Sequence, residues 1–139
     1  MIHKFKIDDL TFTKLKNWSK DKSSKYSEEL AGNIENEFQL TKYRKEFEPF
    51  MLETVNNIEP LRNYLYNELF ILSPNGLPLT LQDLWVNYQQ KYEFNPVHNH
   101  GGIFSFILFI RIPYTTEEQA AVSPGRNSNH DCAGKLSFI

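Results

Sequence analysis

The chain has 139 residues, 40% of them hydrophobic and 14% aromatic, and its 15 basic and 17 acidic side chains give a formal net charge of -2. A chain of this length usually forms one domain that buries about two thirds of its surface, and the hydrophobic and aromatic content is typical of a globular rather than a disordered protein. The charges are mixed, so no basic stripe indicates a nucleic-acid partner, and the longest apolar run is far below the roughly 20 residues that span a membrane. With one cysteine, Cys132, and no apolar leader, we expect a cytoplasmic protein.

The first half of the chain predicts helices. Residues 8–20 carry apolar side chains at three-residue spacing behind acidic N-cap candidates, which indicates a short amphipathic helix. The polar residues 19–33 then predict a surface connection. Apolar side chains recur at helical spacing from residue 41 to residue 72, but Pro49 and Pro60 interrupt them, so we expect two helices that restart near the prolines.

The second half predicts strands. Residues 72–80, with two prolines and Asn-Gly, predict a loop, and after it the spacing of apolar side chains changes to two. Leu84, Val86 and Tyr88 therefore indicate one strand. The apolar run at 103–110 indicates a second, central strand that is buried on both faces.

The remainder of the chain predicts a polar connection and one more strand. Residues 113–134 are polar and predict a long loop, and residues 135–139, "KLSFI", begin a third strand. Three strands leave open sheet edges. We therefore expect the chain to be the front part of a longer polypeptide, or a partner chain to complete the sheet.

Two histidines, His98 and His100, precede the apolar run with one residue between them. In an extended strand such side chains point to the same face about 6–7 Å apart, so both could ligate one metal ion. Gly101 and Gly102 would then let the backbone pass close to a ligand. A pair of solvated histidines in a loop fits the spacing equally well, and the local candidates for a third ligand are Glu93, His130 and Asp131.

The segment "VNYQQKYEFNPVHNH", residues 86–100, resembles prolyl 4-hydroxylase-like 2-oxoglutarate/Fe(II) oxygenases, in which an Asn-Tyr strand leads through a short loop into a His-x-Asp motif. The resemblance includes the Gly-Gly pair and the apolar run that follow. "LAGNIENEFQL", residues 30–40, is similar to a branch of such oxygenases from phages and marine microbes. The likeness is close over residues 84–110 and loose over residues 31–112.

The resemblance implies Fe(II) as the metal and 2-oxoglutarate as the cosubstrate. His98 matches the first iron-ligand histidine, His100 stands where the commoner pattern has aspartate, and Tyr88 is a candidate contact of 2-oxoglutarate. The later histidine ligand and the basic residue that pairs with the far carboxylate of the cosubstrate have no match. For that reason we expect this chain alone not to turn over 2-oxoglutarate.

The fold that the resemblance implies is α+β: one domain, residues 1–139, with a mainly helical part at 1–80 packed on the first strands of a double-stranded β-helix, or jelly roll, at 81–139. Its function would be a 2-oxoglutarate- and Fe(II)-dependent dioxygenase that hydroxylates an unidentified small molecule or protein, without a nucleic-acid or membrane partner. Two alternatives stay open. The His-x-His pair also begins the cupin metal motif, although no glutamate follows it, and a non-catalytic jelly roll would serve binding or assembly.

Overall fold

The computed structural model describes residues 2–70 and 79–122, and the chain divides into two compact units, Met1–Ser105 and Phe106–Ile139. Among the described residues, the first unit contains three α-helices and a two-stranded antiparallel sheet, and the second contains one further α-helix. The α+β class is therefore confirmed. Within the described residues, no helix is both long enough and apolar enough to cross a membrane.

Helix α1, Asp9–Trp18, confirms the first predicted helix. Its N-cap is Asp8, whose Oδ1 accepts a hydrogen bond of 2.9 Å from the backbone N–H of Thr11 and so satisfies a donor that has no partner within the helix. Leu15 and Trp18 are its buried side chains, as expected from their spacing of three residues. Trp18 stacks on Tyr43, with ring centroids 5.0 Å apart.

Two helices follow, α2 at Arg44–Asn57 and α3 at Glu59–Asn63, and a π-helical turn at Tyr64–Glu68 extends α3. The predicted break before Pro60 is confirmed: Ile58 is extended, and Pro60 stands in the first turn of α3, where its missing N–H costs nothing. Pro49 does not start a helix, because it lies inside α2.

The apolar stripe of this helical region forms the core, as its spacing predicts. Phe47, Val55 and Leu65 are its buried members. Phe47 stacks on Phe50 at 5.5 Å and meets the edge of Trp18 at 6.3 Å, which fastens α2 to α1. Val55 and Leu65 form a second cluster with partly buried neighbours that include Phe104.

The sheet pairs β1, Glu37–Gln39, with β2, Trp85–Asn87, and Phe38 lies opposite Val86. Strand β2 confirms the strand predicted from Leu84, Val86 and Tyr88. Strand β1 was not predicted, because three residues carry almost no periodic signal. Its position follows from the pairing with β2.

The central strand predicted at residues 103–110 is wrong. These residues form no strand, and alternate side chains are exposed, with Ile107 at 48% and Phe109 at 62%. An apolar run becomes a doubly buried strand only if neighbouring strands and a second layer cover it, and its own pattern cannot supply them.

Helix α4, Thr116–Val122, occupies part of the predicted long loop, so the prediction of a loop is wrong there. The Oγ1 of Thr115 accepts from the backbone N–H of Glu118 at 3.2 Å, and Oε2 of Glu118 accepts from the N–H of Thr115 at 2.7 Å. This reciprocal pair is a capping box, and Thr-x-x-Glu was a readable signal for it. The loop predicted at 72–80 lies mostly outside the described residues, and the strand at 135–139 lies wholly outside them.

Candidate functional site

The two histidines lie in a segment that follows β2 and the turn Gln90–Glu93, hereafter the histidine loop, residues 94–100. The turn is closed by a hydrogen bond of 3.2 Å from the N–H of Glu93 to the carbonyl oxygen of Gln90. The histidine loop has no regular strand, apart from one bridge at Phe94. The approach of its histidines therefore does not arise from a β-ladder.

Glu93 joins this turn to the residues before β1. Its Oε1 accepts from the N–H of Glu35 at 2.9 Å, and its Oε2 accepts from the N–H of Gln90 at 2.7 Å. These two backbone hydrogen bonds lower the pKa of the Glu93 carboxyl, because they favour its charged form. Glu93 was a candidate third metal ligand. Both of its oxygens are instead used to hold the turn.

A backbone hydrogen bond also connects the start of the histidine loop to the segment before β1. The N–H of Asn33 donates to the carbonyl oxygen of Phe94 at 2.8 Å, which forms an isolated antiparallel bridge. Together with the bond from Glu35 to Glu93, this bridge makes two attachments across the base of the loop. The predicted surface connection at 19–33 therefore also contributes, through Asn33, to the support of the histidines.

The rings of His98 and His100 lie side by side, with centroids 4.6 Å apart and planes tilted by 58°. Both side chains are exposed. His98 Nδ1 lies 2.7 Å from the carbonyl oxygen of Pro96. A carbonyl oxygen can only accept, so Nδ1 carries a hydrogen and donates it. In the neutral ring the lone pair is then on Nε2, the arrangement that a metal-binding histidine needs.

The structure thus brings the two predicted ligands together, while their binding of a metal stays a prediction. Within residues 2–70 and 79–122, no group of three or more His, Cys, Asp or Glu side chains converges as a metal site. His130 and Asp131, the other two candidates for a third ligand, lie outside the described residues.

Tyr88, the candidate contact of 2-oxoglutarate, has a structural partner in this fold. Its hydroxyl donates to the carbonyl oxygen of Ser19 at 2.6 Å, which links β2 to the C-terminus of α1. The Lys22 ammonium lies 4.4 Å from the centre of the Tyr88 ring, and Phe38 meets that ring edge-on at 6.2 Å. To donate to a carboxylate of 2-oxoglutarate, the hydroxyl would have to give up Ser19.

Glu37 is a buried acidic residue close to the candidate site that the sequence analysis did not identify. It is 1% exposed on β1, a strand whose only local signal is the alternation of Phe38 and Leu40. Burial raises the pKa of its carboxyl, and the negative charge of Glu93 raises it further. No pattern in the sequence indicates that this glutamate faces inward.

Tyr92 adopts a left-handed backbone conformation, with φ of 73°, and its side chain is exposed. Such a conformation is unfavourable for a residue with a Cβ atom and natural for glycine. Tyr92→Gly should therefore raise the free energy of unfolding by about 0.5–1 kcal/mol. The measurement is urea unfolding followed by circular dichroism.

Tyr92→Ala is the matched control, because it removes the same ring but keeps the Cβ atom and hence the strain. It should give no gain in stability. Equal stabilities of the glycine and alanine variants would show that the turn is not strained at this residue.

No protein-family model, no curated protein and no solved structure matches this chain. The resemblance to prolyl 4-hydroxylase-like oxygenases accordingly stays a prediction made from the motif. The function proposed next rests on the residues of the histidine loop and their geometry.

Proposed function

We propose that the chain binds a divalent transition metal through His98 and His100, as part of a 2-oxoglutarate- and Fe(II)-dependent dioxygenase. The observation that supports this is the close approach of the two rings, 4.6 Å between centroids, at an exposed position. Imidazole nitrogens are common ligands of iron, zinc and copper. The double-stranded β-helix belongs to this proposal too, with β1 and β2 as one antiparallel pair of the larger sheet.

The protein's own part in this function is to hold and aim the two imidazoles. The bond from His98 Nδ1 to Pro96 fixes the ring and leaves Nε2 for the metal, as outer-shell acceptors do in metal sites. The attachments through Glu93 and Asn33 hold the base of the loop. When bound, Fe(II) with 2-oxoglutarate and oxygen would supply the hydroxylation of a C–H bond, with release of succinate and carbon dioxide.

Metal binding is the direct test. Isothermal titration of the wild type with Mn(II), Zn(II) and, without oxygen, Fe(II) should show binding that the double variant His98→Ala/His100→Ala loses. The loss should exceed the roughly 10–100-fold that removal of an outer-shell partner causes. Asn99→Ala is the matched control, because Asn99 is an exposed neighbour in the same loop and should leave the affinity unchanged. Equal affinities of the wild type and the double variant would refute the site.

A second candidate is a non-catalytic binding module, which is favoured because both Glu93 oxygens already accept hydrogen bonds from backbone N–H groups. The two candidate functions predict different results in an assay for turnover of 2-oxoglutarate. Succinate is measured after incubation with 2-oxoglutarate, Fe(II), ascorbate and oxygen, using this chain and any longer form of it. Succinate that disappears in His98→Ala supports the dioxygenase, and metal binding without succinate from any form supports the module.

A further inference from the structure

Glu37 is an acidic residue whose side chain is almost completely buried. It lies on β1 opposite Asn87 and is 1% exposed, and its Oε2 atom is buried without a hydrogen-bond partner among the residues that the structure describes. Buried polar atoms in native proteins nearly always have a partner, and a carboxyl group is among the most costly to leave without one. Packing alone does not account for a glutamate here, since an apolar side chain would fill the space without that cost.

The surroundings of Glu37 connect it to the histidine loop. A Cβ atom built on Gly32 would overlap Asn95 Oδ1 and lie 3.4 Å from Glu37 Oε1. The Glu37 carboxyl and the side chain of Asn95, three residues before His98, therefore lie beside the same glycine. Next to Gly32, Asn33 makes the backbone bridge to Phe94. Glu37 thus lies close to the backbone bridge that attaches the histidine loop.

We propose that Glu37 is a positioning residue for the histidine loop, and that loss of its proton loosens the attachment of the loop to Asn33 and Glu35, before β1, and so weakens the proposed metal site. In the neutral form, the carboxyl can stay buried beside Asn95. In the charged form, it faces the charge of Glu93 with one oxygen unpartnered, and opening the base of the loop would let water reach it. Among the residues beside Glu37, Gly32, Asn87 and Asn95 carry no charge, and Tyr26 contacts it through a hydrogen bond from its backbone N–H to the Glu37 carbonyl oxygen.

The direction of the pH effect follows from the environment of the carboxyl. Burial and the charge of Glu93 raise the pKa of Glu37 above the ordinary 4.5. An acid whose pKa is raised by folding contributes stability that is fully present below the unfolded pKa, and that stability is lost as the pH rises through the folded pKa. The loop should therefore be held most firmly at mildly acidic pH and loosen as the pH increases.

Hydrogen exchange of single amides tests this without any metal. The Asn33 N–H is the reporter, because it donates directly to Phe94, and the Leu40 N–H, which donates to Leu84 at 2.7 Å, is the control within the same sheet region. Protection of Asn33, corrected for intrinsic exchange, should fall in the wild type relative to Glu37→Gln by about threefold or more between roughly pH 5 and pH 8. The Leu40 ratio should stay constant. Parallel Asn33 profiles in the two proteins would overturn the proposal.

Gly32→Ala gives a second test if Glu37→Gln does not fold. Its new methyl group would displace the Asn95 side chain, whereas Gly101→Ala adds the same methyl where no atom lies within 4 Å. Gly32→Ala should lower Asn33 protection at every pH, and Gly101→Ala should not. Unchanged protection in Gly32→Ala would show that the contact beside Gly32 does not hold the loop.

This inference rests on the proposed function only for its effect on metal binding. At pH 8, the Mn(II) affinity of Glu37→Gln should exceed that of the wild type, and near pH 6 the two should be closer. Protons compete with the metal for imidazole ligands in both proteins, so the ratio of the two affinities at each pH reports the effect of Glu37. Without any metal binding, the proposed function fails, while the exchange profile still supports the link from Glu37 to the loop. Metal binding with parallel exchange profiles overturns the link and leaves the metal site.

Discussion

Phe47→Ala should lower the free energy of unfolding by about 3–5 kcal/mol, the range found when a buried aromatic side chain is removed and a cavity remains. Phe47 is 1% exposed and contacts the rings of Phe50 and Trp18, so its loss separates α2 from α1 as well as exposing apolar surface. Trp18 is also stacked on Tyr43 and Phe50 also contacts Phe5, so neither ring can easily collapse into the space. Urea unfolding followed by circular dichroism and by tryptophan fluorescence measures the change.

Phe109→Ala is the matched control, because it is the same substitution at a side chain that is 62% exposed. Its effect should be within about 0.5 kcal/mol of zero. A loss below about 1.5 kcal/mol in Phe47→Ala would mean that the contact between α1 and α2 is not part of the stable core.

Asp83→Ala should lower the free energy of unfolding by about 2–4 kcal/mol, because it removes an acceptor that serves three donors. Tyr26 hydroxyl donates to Oδ2 of Asp83, and Thr41 hydroxyl and the Leu84 N–H each donate to Oδ1 at 2.8 Å. This network joins three segments that are distant in sequence. The hydrogen bond to Asp83 also raises the pKa of Tyr26.

A double-mutant cycle isolates the pair of Tyr26 and Asp83 within this network. Tyr26→Phe, Asp83→Ala and the double variant should give a coupling energy of about 1–2 kcal/mol. Asp9→Ala serves as the control for removal of an aspartate, since Asp9 is exposed in the first turn of α1, and it should cost about 0.5 kcal/mol or less. Additive effects of Tyr26→Phe and Asp83→Ala would show that the two side chains do not interact.

The helices were the most predictable part of the fold, because their signals are local. Asp8 caps α1 by accepting a hydrogen bond from Thr11, three positions away. Pro60 favours the start of α3 because its ring fixes φ at a helical value. The capping box at Thr115 and Glu118 was equally local, so α4 could have been predicted from it. The strand predicted at 103–110 was wrong because its signal was not sufficient locally. Whether an apolar run is buried as a strand depends on elements elsewhere in the chain.

The candidate site likewise has one feature that the local sequence predicts and others that depend on residues far apart in the chain. The sequence alone determined that His98 and His100 come close, because a spacing of two residues keeps any two side chains near each other in an extended chain. Only the tertiary structure decided what holds them: the bonds from Glu35 and Asn33 to the base of the loop join residues far apart in sequence. The burial of Glu37 also belongs to the tertiary structure, because three-residue strands such as β1 and β2 form only when each supplies the other's hydrogen bonds.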